Sequence, residues 1–314
     1  MVITGRMRLW LRCFLILFTC FLVALVPPIH GETFRIATFN VEGYLLTSNG
    51  TREAKTPASR AKVRESILAL RPDILALQEI GSPEALQELQ DSLKAEGLAL
   101  PYAEHVPGFD PTIQVAVLSK FPFAERRSHT NETFLLQGRR FRTSRGFGEV
   151  EVQVTPAYSF TLMVAHLKSK LVSSKADEGD LRLEEAKLLR EKVDAALKTN
   201  PDADLVVAGD LNDTKGSLAV RTLMGRAKTR LVDTRPAERN GDSPVNEAGR
   251  EPRVITWTHY YAREDSFNRV DYIMLSPRMA RNWVKEESYV LSSSNWGLGS
   301  DHRPVVATFR SRDR

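Results

Sequence analysis

Five apolar, strand-like stretches of this chain each deliver an acid, an amide or an imidazole at or near an end. They are Asn40 with Glu42 at "FRIATFNVE", Glu79 at "DILALQE", His166 at "FTLMVAH", Asp210 with Asn212 at "DLVVAGDLN", and Asp271 at "DYIML". Strands of this kind hide their apolar lengths in a core, so the fold has to be one in which several polar strand ends can converge. Singly, each has an ordinary explanation. Asn40 can cap a turn, Glu79 can pair with an arginine, the run from Asp210 to Asp213 suits a turn built on Asx side chains, and a histidine on an apolar strand is commonly a satisfied core residue. Asp301 and His302, in "GSDHRPVVATF", can likewise do no more than close a turn. Taken together, they are the groups needed to hold a hard divalent cation and cut a phosphate ester. Carboxylates and an amide oxygen suit magnesium or manganese.

Helices are expected between the strands. Thr56 precedes Pro57, a cap followed by proline at the first helical position, and "ASRAKVRESILAL" places Val63, Ile67 and Leu70 on one helical face. Ser82-Pro83 opens a second helix through about Ala95. A long charged helix is expected from Asp180 to Leu197, with Leu181, Ala186, Leu189, Val193 and Leu197 facing inward. Further strands are read in residues 112–122, in the adjacent pair "FGEVEVQV" and "FTLMVAHLKS", and in residues 269–276 and 303–309. Residues 235–253, rich in proline, glycine and charge, are expected to form a long mobile loop. Strands and helices in this order predict an α/β fold, two packed mixed β-sheets with helices outside, in one domain spanning residues 32–314.

Residues 1–31 read as a secretory signal peptide. Arg6, Arg8 and Arg12 precede an uncharged apolar run, Cys13 to Val26, that is short for a membrane span and is broken by "PPIHG"; an uncleaved amino-terminal anchor is the alternative. Setting the leader aside removes three arginines and no acid, which takes the formal charge from +5 to +2. That balance neither demands nor excludes a polyanionic partner. Both cysteines, Cys13 and Cys20, lie in the leader, so the exported chain has neither disulfides nor thiolate chemistry.

The segments "ATFNVEG", "DILALQE", "VAVLSKFP", "AHLKSK", "VVAGDLND", "RVDYIML" and "SDHRPV" occur in an order and at spacings that resemble the endonuclease/exonuclease/phosphatase superfamily, over nearly everything from Thr33 to Phe309. The superfamily includes abasic-site endonucleases, pancreatic-type deoxyribonucleases, neutral sphingomyelinases and inositol polyphosphate phosphatases. The resemblance implies a four-layer α/β sandwich with its site where the two sheets open at one end. It implies a metal (Mg2+ or Mn2+) held by Glu79 with Asn40, with Glu42 and Asp301 as further acids. It implies that Asp210 aligns or deprotonates the attacking water, that Asn212 and Asn40 contact the phosphate, that Asp271 orients His302, and that His166 is the second catalytic histidine.

Asp110 and Gln114 are candidates for the group that orients His166. His105, His129 and His259 have no matching context and are expected in surface or packing roles, and Trp296 in loop packing, with a membrane or base-stacking contact as its alternative. No exposed apolar hairpin of the sphingomyelinase type is evident. In "GRRFRTSRGF", four arginines share one strand-like stretch. They suit a charge-protected edge strand or a phosphate-tracking groove, and Arg145 is the chosen groove candidate. The expected activity is therefore that of a secreted phosphodiesterase, with nucleic acid as the first substrate. Phospholipid or sphingomyelin, a phosphomonoester, and an inactive binding module on the same scaffold are the alternatives, and no protein partner is expected.

Overall fold

Along β1 (Thr33–Tyr44), alternate side chains enter two different cores: Phe34 and Ile36 face one way, Ala37, Phe39 and Val41 the other. A strand buried on both faces must lie inside a layered structure. The computed structural model describes residues 31–50, 52–239 and 254–311. The expected leader and most of the expected loop at 235–253 lie outside these.

After β1 come α1 (Pro57–Leu70), β2 (Ile74–Ile80), α2 (Pro83–Ala95), β3 (Tyr102–Val106), β4 (Gln114–Ser119), β5 (Phe123–Arg126), β6 (Thr133–Leu136), β7 (Arg139–Arg142), β8 (Gly148–Thr155) and β9 (Tyr158–His166). Then follow α3 (Glu178–Thr199), β10 (Leu205–Asp210), α4 (Leu218–Met224), β11 (Val232–Asp233), β12 (His259–Tyr261), β13 (Ser266–Asn268), β14 (Asp271–Leu275), β15 (Trp283–Val290) and β16 (Val305–Arg310). Two six-stranded sheets result, in the orders β15-β16-β1-β2-β4-β3 and β11-β14-β10-β9-β8-β5, with β6-β7 and β12-β13 as separate hairpins. Both sheets are mixed, since β1 runs parallel to β2 and β9 parallel to β10 while their other pairings are antiparallel.

The inner core joins the facing sheets: Phe34 stacks on Phe160 and Phe309 at 5.4 and 5.5 Å, and Val117, Leu162, Val206 and Ile273 fill the space around them. A second core packs α1 and α2 on the outer face of the first sheet, and a third packs α3 and α4 on the outer face of the other. This is the expected helix-sheet-sheet-helix sandwich. The Thr56 hydroxyl accepts from the Ser59 amide, and Val63, Ile67 and Leu70 are all buried. All five residues expected to face inward on α3 are buried as well.

The inner row of side chains does not stay apolar. It changes from Phe34 and Ile36 to Thr38 and Asn40 along β1, from Phe160, Leu162 and Val164 to His166 along β9, and from Val206 and Ala208 to Asp210 along β10. Strands β14 and β16 run the opposite way, so their polar groups, Asp271 and the preceding His302, come at their starts. The sandwich therefore has a dry end and a polar end. Register completes the row, because Asp210 is paired with His166 on one side and with Asp271 on the other.

Candidate active site

The polar end opens into a cavity of about 310 Å³ lined by Asn40, Glu42, Glu79, His166, Asp210, Asn212, Asp301 and His302, among others. Six of the seven expected segments thus contribute to one place, with Asp271 packed immediately behind, while "VAVLSKFP" supplies no lining residue. Several of these residues adopt backbone conformations that L-residues avoid: φ is 46° at Glu42, 61° at Glu79 and 52° at Asn212. Such strain persists only where surrounding structure enforces it. At Glu79 it occurs at a shift in the pairing of β2 with β4.

Asp210 is held on every side. Asn40 Nδ2 donates to its Oδ2 across the two sheets at 3.0 Å, and the Asn212 amide donates to its Oδ1 at 2.8 Å. Gly209 makes the position possible, since it has φ of 143° and a Cβ there would lie 1.9 Å from the Ala165 carbonyl oxygen. Asn212 Nδ2 donates to the Leu167 carbonyl at 2.9 Å, tying the turn after β10 to the end of β9. Ser300 fixes the turn before β16: its hydroxyl donates to the Asn40 carbonyl at 2.7 Å and accepts from the His302 amide at 3.0 Å.

His302 Nδ1 lies 2.8 Å from Asp271 Oδ2, while Nε2 faces Asp210 Oδ2 at 3.8 Å. Burial alone would discharge this imidazole, but Asp271 and Asp210 outweigh it and hold its pKa well above the ordinary value. His166 shows the reverse. Burial, then Arg145 and His302, push its pKa well below the ordinary value, so it is neutral. Its Nε2 is 3.5 Å from Asp210 Oδ2 and 3.9 Å from Glu79 Oε1. Burial also drives the Asp210 carboxyl up to about 6, against the neighbouring His302. The site therefore sets a cationic imidazole beside a carboxylate that titrates near neutrality.

Glu42, Glu79 and Asp301 also line the cavity. The Glu42 carboxyl is raised by partial burial and then by repulsion from Asp301 and Glu79, a crowding that a bound cation would relieve. With the Asn40 amide, this oxygen-rich set fits a hard divalent ion. Among the described residues, two groups bring three ligand atoms within 4.8 Å of one another: His259, Asp301 and His302, and the buried Asp210, Asp271 and His302.

Some expectations need correction. Arg145 does not belong to an open groove: it is 6% exposed, and its nearest acid is Asp110, 3.9 Å away. The chain turns inward after β7 because the buried Glu185 of α3 accepts from the Ser144 and Lys168 amides at 2.7 and 2.6 Å. Arg139, Arg140 and Arg142 remain exposed on the β6-β7 hairpin, so the arginines do not form one strip. Neither candidate for holding His166 does so. Asp110 is engaged by both terminal nitrogens of Arg52 at 2.8 and 3.0 Å, Gln114 Nε2 donates to the Asp110 carbonyl, and His166 Nδ1 has no hydrogen-bond partner. His259 is no bystander, for it lines the cavity with its ring 4.4 Å from that of His302. A short hairpin does stand beside the cavity, but its turn carries Arg263, Glu264 and Asp265, so it is not an apolar one. Strands β12 and β13 carry Phe267, 55% exposed, packed against Trp257, which in turn meets Trp296 at 5.3 Å.

Solved structures of the same architecture include sphingomyelinase C from Streptomyces griseocarneus, with 19% identity and a TM-score of 0.60 over 89% of this chain and 100% of that one. The human nocturnin catalytic domain, with bound sulfate, has 17% identity and a TM-score of 0.59 over 88% of this chain and 94% of that one. An endonuclease/exonuclease/phosphatase from Beutenbergia cavernae has 19% identity and a TM-score of 0.57 over 89% of this chain and 72% of that one. At these identities the likeness concerns the fold. No curated protein sequence matches the chain. The family model for the endonuclease/exonuclease/phosphatase family matches residues 37–302, a span that begins beside Asn40, ends on His302 and takes in every polar strand end described above. The chain belongs to the endonuclease/exonuclease/phosphatase family.

Proposed function

We propose that this protein is a divalent-metal-dependent phosphodiesterase that acts on nucleic acid, and that residues 1–31 direct its export. The observation that carries the chemistry is the buried Asp271–His302–Asp210 arrangement at one cavity with the carboxylates Glu42, Glu79 and Asp301. Two ionisable groups whose environments drive them apart are suited to acid and base roles. Asp210, held by Asn40 and Asn212, aligns the attacking water and takes its proton. His302, charged and fixed by Asp271, donates a proton to the departing oxygen as the phosphorus–oxygen bond breaks. The neutral His166 offers a hydrogen bond to a non-bridging oxygen. Glu79 and Asn40, with Glu42 and Asp301, would hold magnesium or manganese, which when bound supplies Lewis-acid polarisation of the phosphoryl group.

For the substrate, Lys170 in the cavity lining and the exposed arginines of β7 support a polyanion. Arg139 on the exposed hairpin donates to the Lys175 carbonyl, which joins Arg139, Arg140 and Arg142 to the loop whose Lys170 lines the cavity. Arginine forks suit phosphodiester backbones, and the Trp257–Phe267 pair offers a face for base stacking. A second reading, a phospholipid phosphodiesterase, is favoured by the exposed apolar side chains near the cavity, Leu171, Val172 and Phe267. Assay of the exported chain on plasmid DNA, RNA and sphingomyelin vesicles, with magnesium and with chelator, separates the readings. Magnesium-dependent cleavage of nucleic acid is expected, and cleavage of the lipid alone would replace the substrate.

A further inference from the structure

The segment carrying His259 is sewn to the catalytic turn by its backbone. The Tyr260 amide donates to the Asp301 carbonyl at 3.0 Å, the Arg303 amide donates to the Thr258 carbonyl at 2.6 Å, and His259 forms an isolated bridge with His302. Three potential ligands are thereby fixed around one point. His259 Nε2 is 3.4 Å from Asp301 Oδ2, His302 Nε2 is 3.8 Å from Asp301 Oδ1, and one ligand atom from each residue falls within 4.8 Å of the other two. Tetrahedral zinc, with bonds of about 2.0–2.1 Å, needs ligands about 3.3 Å apart, so small side-chain rotations close the set.

The chemistry of this triad differs from that of the set bearing Glu42 and Glu79. Two imidazoles and one carboxylate suit a borderline cation such as zinc or cobalt, whereas magnesium prefers oxygen donors. The triad also has the outer support that such sites use, because Asp271 holds His302 Nδ1 at 2.8 Å and so aims Nε2 outward. Asp301 is kept ionised, since the adjacent His259 and His302 outweigh its burial.

We propose that His259, Asp301 and His302 form a second binding site, for a zinc-class divalent cation, that shares Asp301 with the set assigned to magnesium, and that its occupation switches the enzyme off. The reason is competition for one atom. His302 Nε2 is the nitrogen assigned above to proton donation, and a ligated nitrogen carries no proton to give. The inhibitory consequence rests on the proposed hydrolytic function; the binding does not.

The test uses metal-stripped full-length protein, titrated with cobalt(II) and followed by its visible ligand-field absorption, beside magnesium-supported hydrolysis with increasing zinc. His259→Phe keeps a ring against His302 and removes the ligand nitrogen, and His259→Ala removes both. Both variants are expected to lose the tetrahedral cobalt band. Both are expected to weaken zinc inhibition by at least about ten-fold, each measured relative to the variant's own magnesium-supported rate. Glu79→Gln is expected to retain the band. An unchanged band in both His259 variants, or zinc that accelerates the wild-type protein, would overturn the proposal. A His259-dependent band in a protein that cleaves no phosphodiester would instead preserve the site and remove the hydrolytic reading.

Discussion

Asn40 and Asp210 stand 170 positions apart in the chain and meet across the two sheets, the amide of one donating to the carboxylate of the other at 3.0 Å. The contact joins the polar end of β1 to that of β10, and it keeps a carboxylate in place where burial alone would favour the neutral acid. Replacing Asn40 with alanine leaves that buried oxygen without its partner. A stability loss of about 1–3 kcal/mol is expected, read by denaturant unfolding, together with a larger proportional loss of turnover.

The charge on His302 depends chiefly on Asp271, which lifts the imidazole pKa against the effect of burial. In Asp271→Asn the largest lifting charge is gone while burial and the weaker pull of Asp210 remain, so the folded-state pKa falls. Where a raised pKa puts the loss of the His302 proton, and with it the alkaline limb of the rate profile, well above the ordinary histidine range, the variant's limb should move to lower pH. Maximal turnover should drop by roughly 100- to 10,000-fold. The acid limb, set by Asp210, should persist because burial, the chief cause of its raised pKa, is unchanged, although its position responds to the loss of Asp271. A pH–rate profile of the variant checks both statements, and an unmoved alkaline limb would show that another group sets it.

Gly209 is a backbone requirement and not a binding residue. With φ of 143° and the Ala165 carbonyl oxygen 1.9 Å from any added Cβ, Gly209→Ala has to push β10 away from β9. A loss of at least about 3 kcal/mol is expected in equilibrium unfolding. Wild-type stability would mean that the two strands are less tightly docked than described.

The exposed arginines of β7 make no buried contacts that the fold needs. Converting Arg139, Arg140 and Arg142 together to alanine should leave the melting temperature nearly unchanged. The logarithmic salt dependence of DNA binding should become shallower by about 0.7–0.9 for each arginine that contacts a phosphate. An identical salt slope would separate this hairpin from substrate recognition.

These relationships were legible in the sequence to unequal degrees. Asn40, Glu79, His166, Asp210 and Asp271 lie at or near one end of an apolar run, so alternation places them before any pairing is known, and Thr56-Pro57 announces its helix through local capping alone. His259 escapes because its strand has only three residues and its significance comes from a bridge to His302, 43 positions on, that periodicity cannot register. Strand β15 escapes for a different reason. It is an edge strand whose exposed Lys285 and Glu286 and half-buried Glu287 coincide with a shift in pairing, so neither alternation nor apolarity survives. Arg145 misleads because three exposed arginines precede it, and only the pull of the buried Glu185 on Ser144 reveals where the chain turns inward.

The most direct test is the rate at which His302→Ala hydrolyses a simple phosphodiester at saturating magnesium, compared with the wild-type chain, with circular dichroism showing that the fold is kept. A loss of roughly 100-fold or more is expected, because a positioned proton donor contributes at least that much. Equal rates in a correctly folded variant would contradict the assignment of His302 to proton donation and, with it, the active site described here.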